Sequence, residues 1–117
     1  MGLLDTIAIG IIGTVILNKD NKRMEKRNKK RQAWLKANNY DIEKQLEIER
    51  WCRENIETAI EQAYGYPYRS LPWERVYGRY KSGNTAVQAE IYKLICNKNG
   101  IEFFDFRFPP KAYKNIE

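Results

Sequence analysis

Residues 41–65 read DIEKQLEIERWCRENIETAIEQAYG. The apolar positions Ile42, Leu46, Ile48, Cys52, Ile56, Ala59, Ile60 and Ala63 recur with helical period. At 100° per residue they fall within an arc of about 160°, and Glu43, Glu47, Glu54, Glu57 and Glu61 fill the other side. Asp41 is placed to cap the first turn, after the helix-breaking pair Asn38-Asn39, and Gly65 to close the last. The spacing predicts an amphipathic helix running from Asp41 to Tyr64, and with it a mostly α fold. Glu49 and Arg53 intrude on the apolar arc at i,i+4. The expectation there is an ion pair at the rim, because an unpaired buried charge is costly.

On the amino-terminal side the chain changes character twice. Residues 18–37, NKDNKRMEKRNKKRQAWLKA, hold nine cations against Asp20 and Glu25, a net charge of +7. The whole chain carries +6, so everything outside this tract sums to −1 and the basicity is local. Gly and Pro are absent from 18–39, and Glu25 stands i,i+4 from Lys29, which predicts a basic helical stalk. Trp34 and Leu35, its sizeable apolar residues apart from Met24, mark the expected first docking contact with the domain that follows.

Residues 1–17, MGLLDTIAIGIIGTVIL, carry a single charge, Asp5, and no proline. As a helix they would span about 25 Å, short of a ~30 Å hydrocarbon core, with Asn18 and Lys19 able to snorkel to the far interface. No cation side chain precedes the apolar run, and a lysine-rich tract follows it. That is the asymmetry of an uncleaved anchor whose C-terminal side is held in the cytoplasm, not of a cleaved signal peptide. The expectation is a single-pass helix in the cell membrane. Its rival is a packing helix buried inside a soluble assembly.

Gly2, Thr6, Gly10 and Thr14 fall four apart, a spacing that lets two membrane helices approach closely and points to a homo-oligomer. Lys19, Lys22, Arg23, Lys26, Arg27, Lys29, Lys30 and Arg31 are the candidates for contact with anionic lipid of the inner leaflet or with nucleic-acid phosphates. The blander role for the same charges is a solvated topology determinant.

On the carboxyl side, residues 64–84 read YGYPYRSLPWERVYGRYKSGN, with tyrosine and tryptophan interleaved with cations. Pro72 suits a first helical position and predicts a short helix over 72–80. Lys81-Ser82-Gly83-Asn84 reads as a turn, and Thr85-x-x-Gln88 as a capping box opening a helix that ends near Lys98, with Val87, Ile91, Leu94 and Ile95 inward. The pair resembles a helix-turn-helix in outline, presenting Thr85, Gln88, Tyr92 and Lys93 outward. Arg69, Arg75, Arg79, Lys81, Gln88, Tyr92 and Lys93 are accordingly the candidate nucleic-acid contacts. Against that role, the tyrosines equally suit covering a small core, and four cations between 69 and 81 make a thin phosphate track.

Ile101–Phe108, IEFFDFRF, is aromatic and bounded by Gly100 and Pro109-Pro110. It predicts the one β-strand of the chain, pairing with 74–80, with another copy or with a partner. The organisation read from these segments is a membrane anchor at 1–17, a stalk at 18–39, a small helical interaction domain at 40–110 and a polar tail, KAYKNIE, at 111–117.

Histidine is absent, and the only cysteines are Cys52 and Cys96. No Ser-His-Asp or Cys-His relay, imidazole ligand or zinc quartet can be assembled from one copy of such a chain. The glutamates of 41–65 line a solvated stripe, and no Asp-rich calcium loop occurs. The expected function is non-enzymatic, without cofactor or metal: a membrane-anchored chain presenting a small cytoplasmic domain to a protein partner. One alternative is a nucleic-acid-binding protein, tethered or free, that uses the stalk and the 64–93 region. The other is a soluble structural component of an oligomeric assembly, with its N-terminal helix buried between subunits.

Overall fold

The computed structural model describes residues 19–117, and their side chains from 23 onward. The tract at 1–17, with its expected membrane helix and the Gly2, Thr6, Gly10 and Thr14 face, lies outside the described residues. Those described are mostly helical and contain no strand. The elements are α1 (Lys19–Ala37), α2 (Ile42–Glu54), α3 (Ile56–Tyr64), α4 (Leu71–Lys81), α5 (Thr85–Lys98) and α6 (Lys111–Lys114). They form two compact units: residues 19–46 with 104–117, and residues 47–103. The first turn of α2 belongs to one unit and the remainder to the other.

In the first unit α1 is continuous, as the absence of Gly and Pro permits, and it ends where the two asparagines stand. Asn39 takes a left-handed φ of 68°. The Tyr40 N–H then reaches the Leu35 carbonyl at 2.9 Å and the Asn39 N–H reaches Lys36 at 3.1 Å, closing the helix with a Schellman motif. Asp41 starts α2 as expected, its Oδ1 accepting from the Lys44 N–H at 3.1 Å.

The expected strand over 101–108 does not form. Its aromatic alternation finds no partner backbone, and the 74–80 segment proposed to pair with it is helical. A side chain does the pairing instead. Gln45, fully buried, donates from Nε2 to the Phe104 carbonyl at 2.8 Å and accepts the Phe104 N–H at Oε1 at 2.9 Å. A primary amide offers the donor and acceptor that a neighbouring strand would have offered, so both polar groups of Phe104 are satisfied without a sheet. Beyond it, Asp105 turns the chain: Oδ1 accepts from the Arg107 N–H at 2.9 Å, and its carboxylate holds the Arg107 guanidinium at 2.8 Å.

The second unit is a cluster in which α3, α4 and α5 each pack against the other two. Ile48, Cys52, Ala59, Ile60, Ala63, Trp73, Ile91, Ile95 and Cys96 form its core. The helix expected to run unbroken from 41 to 64 is interrupted at Asn55, with φ −131° and ψ 43°. Both the backbone N–H and the side-chain Nδ2 of Asn55 donate to the Trp51 carbonyl, at 2.8 and 3.1 Å. An asparagine amide that competes for backbone groups is a known source of such breaks. Gly65 closes α3 as predicted, at φ 75°, with its N–H on the Glu61 carbonyl at 2.7 Å.

Two further starts differ from expectation in detail. Ser70 caps α4, its Oγ accepting from the Trp73 N–H at 3.4 Å, and Pro72 sits in the first turn. The cap of α5 is Asn84, whose Oδ1 accepts from the Val87 N–H at 3.1 Å, so Thr85 already lies inside the helix and the Thr85–Gln88 capping box is not made. Asparagine ranks above threonine as a cap, and here it wins the contest by one position.

Candidate interaction surface

The cationic tract becomes a single helical rod. Arg23, Lys26, Arg27, Lys29, Lys30 and Lys36 are exposed on α1, and Arg31 is half-buried. Lys19 and Lys22 belong to the same helix. The expected Glu25–Lys29 pair does not close among the described residues, which leaves Lys29 directed to solvent.

The carboxyl end of the rod is fixed by its apolar residues. Leu35 is buried, and Trp34 joins an aromatic cluster with Tyr40, Phe104 and Tyr113 at ring separations of 5.8 to 6.2 Å. Tyr40 and Tyr113 each approach Phe104 at 5.0 Å, and Phe106 completes the group at 4.8 Å from Phe104. Such offset and edge contacts add to the area the rings bury. The docking role expected of Trp34 and Leu35 is what the structure shows.

The tail is part of this arrangement. Residues 111–114 form α6, and Tyr113 brings its ring under the Arg31 guanidinium at 5.0 Å. Arg31 Nη2 also donates to the Lys114 carbonyl at 3.4 Å, and Lys30 Nζ to the Glu117 carbonyl at 2.6 Å. Of the eight cations singled out in the tract, Lys30 and Arg31 thus engage the chain's own C-terminal segment. Arg31 serves as a clamp. No signal in KAYKNIE marked that role beyond its one tyrosine. Gln45 was likewise unmarked, although its position in the middle of the apolar arc of 41–64, between Ile42 and Ile48 in phase, is a legible anomaly.

The second set of candidates lies in the other unit. Arg69, Arg75, Arg79, Lys81 and Lys93 are exposed, whereas Gln88 and Tyr92 are half-buried, so the outward row predicted on α5 is reduced to Thr85 and Lys93. Tyr92 packs against the core, and burial raises its phenol's pKa while Arg53 opposes that rise. The aromatic faces are largely turned on each other. Tyr64 stacks on Tyr66 at 5.4 Å and Trp73 on Tyr77 at 4.9 Å, and Tyr68 meets Trp73 edge-on at 4.7 Å. Arg69 lies 5.3 Å over Tyr68 and Lys81 5.8 Å over Tyr77. Trp73, 2 % exposed, ties its indole N–H to the Glu57 carbonyl at 3.2 Å. The Tyr64 hydroxyl donates to Glu90 Oε1. Burial first, and the Glu90 carboxylate second, hold that phenol above its ordinary range. Each of these rings thus has at least one ring neighbour within the unit, while Tyr68 stays 45 % exposed.

Glu49 and Arg53 make the expected i,i+4 pair, at 3.9 Å, with the arginine side chain 47 % exposed. Cys52 and Cys96 are buried thiols. Burial pushes Cys52 up to about 12, with Cys96 and Glu49 adding to the rise and Arg53 opposing it, and burial pushes Cys96 up to about 12 as well. Among the described residues no group of His, Cys, Asp or Glu could hold a metal ion, and no helix is long and apolar enough to cross a membrane. Comparison with protein-family models, curated proteins and solved structures finds no match to the chain.

Proposed function

We propose that this chain is a non-enzymatic, single-pass membrane protein that holds a small helical binding region at the cytoplasmic face and presents it to a protein partner. The observation that carries the reading is the junction. A 17-residue apolar tract is followed after Asn18 by α1, a helix of net charge +7 over Lys19–Ala37, whose far end is locked by Trp34 and Leu35 into folded chain. Cations beside an apolar span hold that side of it in the cytoplasm.

Support for a protein partner comes from the 104–117 segment. Phe106 and Phe108 are 46 % and 74 % exposed on either side of Arg107, and exposed aromatics beside arginine are common anchors of protein interfaces. Small-residue spacing at Gly2, Thr6, Gly10 and Thr14 adds self-association through the span.

Alkaline-carbonate extraction tests the reading, applied to membranes from cells making the full chain and a variant lacking residues 1–17. Retention of the full chain with release of the truncated one is the expected result. Release of both overturns it in favour of a packing helix within a soluble assembly, or of a nucleic-acid-binding role for the basic tract.

A further inference from the structure

The cations of α1 are not spread evenly around it. At 100° per residue, Arg23, Lys26, Arg27 and Lys29 project within an arc of about 160°. All four are exposed, whereas Lys30, in the same arc, is tied to the Glu117 carbonyl. The opposite side carries Asn28, Arg31 and Leu35 within about 60° of one another. That is the side turned inward: Leu35 is 4 % exposed, Asn28 and Arg31 are half-buried, and Arg31 is clamped on Tyr113 and Lys114. Over residues 23–31 the helix commits one face to its own fold and leaves the other as a cationic edge, which ends where Trp34, in phase with the cations, turns into the aromatic cluster.

We infer that α1 lies along an anionic lipid surface with the Arg23, Lys26, Arg27 and Lys29 face against the headgroups, instead of standing away from the membrane as a stalk. The inference rests on the membrane reading above and deepens it by naming the partner of this face. Charge complementarity points to a polyanion, and two features select lipid. A planar surface engages one side of a straight helix, which is the side left open here. The charge density also falls off with the helix: the chain outside 18–37 sums to −1, and the four cations between 69 and 81 make only a thin track for a nucleic-acid strand. Each lysine or arginine near an anionic membrane strengthens attachment about fivefold, from ~1 kcal/mol per charge, within a Debye length of the surface.

Two neutral exposed positions report the orientation without removing any cation. Ala33 falls inside the cationic arc and Gln32 outside it, and both are exposed. The full chain carrying Ala33→Cys or Gln32→Cys is labelled with a nitroxide and reconstituted in vesicles of phosphatidylcholine alone or with phosphatidylglycerol. The unsubstituted chain serves as the control for labelling at the buried Cys52 and Cys96. The relaxation of each label by a water-soluble nickel complex is then read.

With phosphatidylglycerol present, the label at 33 is several-fold less accessible than the label at 32. The difference disappears in phosphatidylcholine alone and in the double variant Lys26→Gln, Arg27→Gln. Equal accessibility of the two labels on phosphatidylglycerol vesicles, in protein that resists carbonate, overturns the inference and leaves the anchor standing. Protection of position 33 by an added DNA oligonucleotide but not by phosphatidylglycerol overturns it in favour of nucleic acid. Protection by phosphatidylglycerol in protein that carbonate releases supports the lipid-facing helix while removing the anchor.

Discussion

The two units of this chain are held by opposite means. Residues 47–103 bury aliphatic side chains from helices that are close in sequence, and the helical period that packs them is written into each segment. Residues 19–46 with 104–117 are held by rings and by one amide, between segments far apart in sequence: the Gln45–Phe104 pair spans 59 residues. The first arrangement is a hydrophobic core built from repeated small contributions. The second concentrates its specificity in a few groups, so single substitutions there carry more of the outcome.

The strongest way to break this comparison is Phe104→Ala. It removes a ring that is 2 % exposed and meets Trp34, Tyr40, Phe106 and Tyr113. A cost of about 4 kcal/mol is expected, read as a lower urea midpoint with faster amide exchange across 34–45. A loss below about 1 kcal/mol would mean that the cluster does not hold its unit.

Gln45→Leu comes next, at about 3 kcal/mol, because it keeps the volume but strands the Phe104 N–H and carbonyl without partners. The sharp readout is the Phe104 amide, whose exchange protection disappears. If that amide stays protected, another group pairs the 104 backbone.

Within the helical unit, Asn84→Ala lowers stability by about 1 kcal/mol, whereas Thr85→Ala changes it by a few tenths. Equal effects at the two positions would restore the Thr85–Gln88 capping box.

The smallest effect belongs to the thiols. Their folded pKa of about 12 lies above the 9.0 of an unperturbed thiol, so ionisation is favoured in the unfolded chain. The stability they contribute is whole below pH 9 and is withdrawn as pH rises from about 9 toward about 12. At neutral pH no change is expected, and thiol reagents react at the rate at which the chain opens. Rapid modification of both thiols at pH 7 would contradict their burial.

What was legible beforehand follows the range of the interactions. The helix opening at Asp41, the Gly65 close, the Pro72 helix, the inward faces of Ile91 and Ile95, the Glu49–Arg53 pair and the docking of Trp34 and Leu35 all stood in local pattern. The aromatic run at 101–108 misled, because β-branched and aromatic alternation states only that a segment suits a pleated environment, not that a second strand exists to pair with it. Asn55 shows the same limit inside a helix, where an unbroken apolar arc did not prevent a break at a residue whose side chain also bonds the Trp51 carbonyl.

By itself, then, the sequence determined most of the helical segments, though not the break at Asn55 or the short α6, and the separation of an apolar tract from a cationic one. These depend on interactions within three or four positions along the chain. Only the tertiary structure decided that Gln45 replaces a strand, that Tyr113 and Arg31 clamp the basic helix, and that Arg23, Lys26, Arg27 and Lys29 share the face left open. Those outcomes depend on which distant segments meet. Closing such contacts costs loop entropy that only the assembled rings and hydrogen bonds offset, and no local window of sequence records that balance.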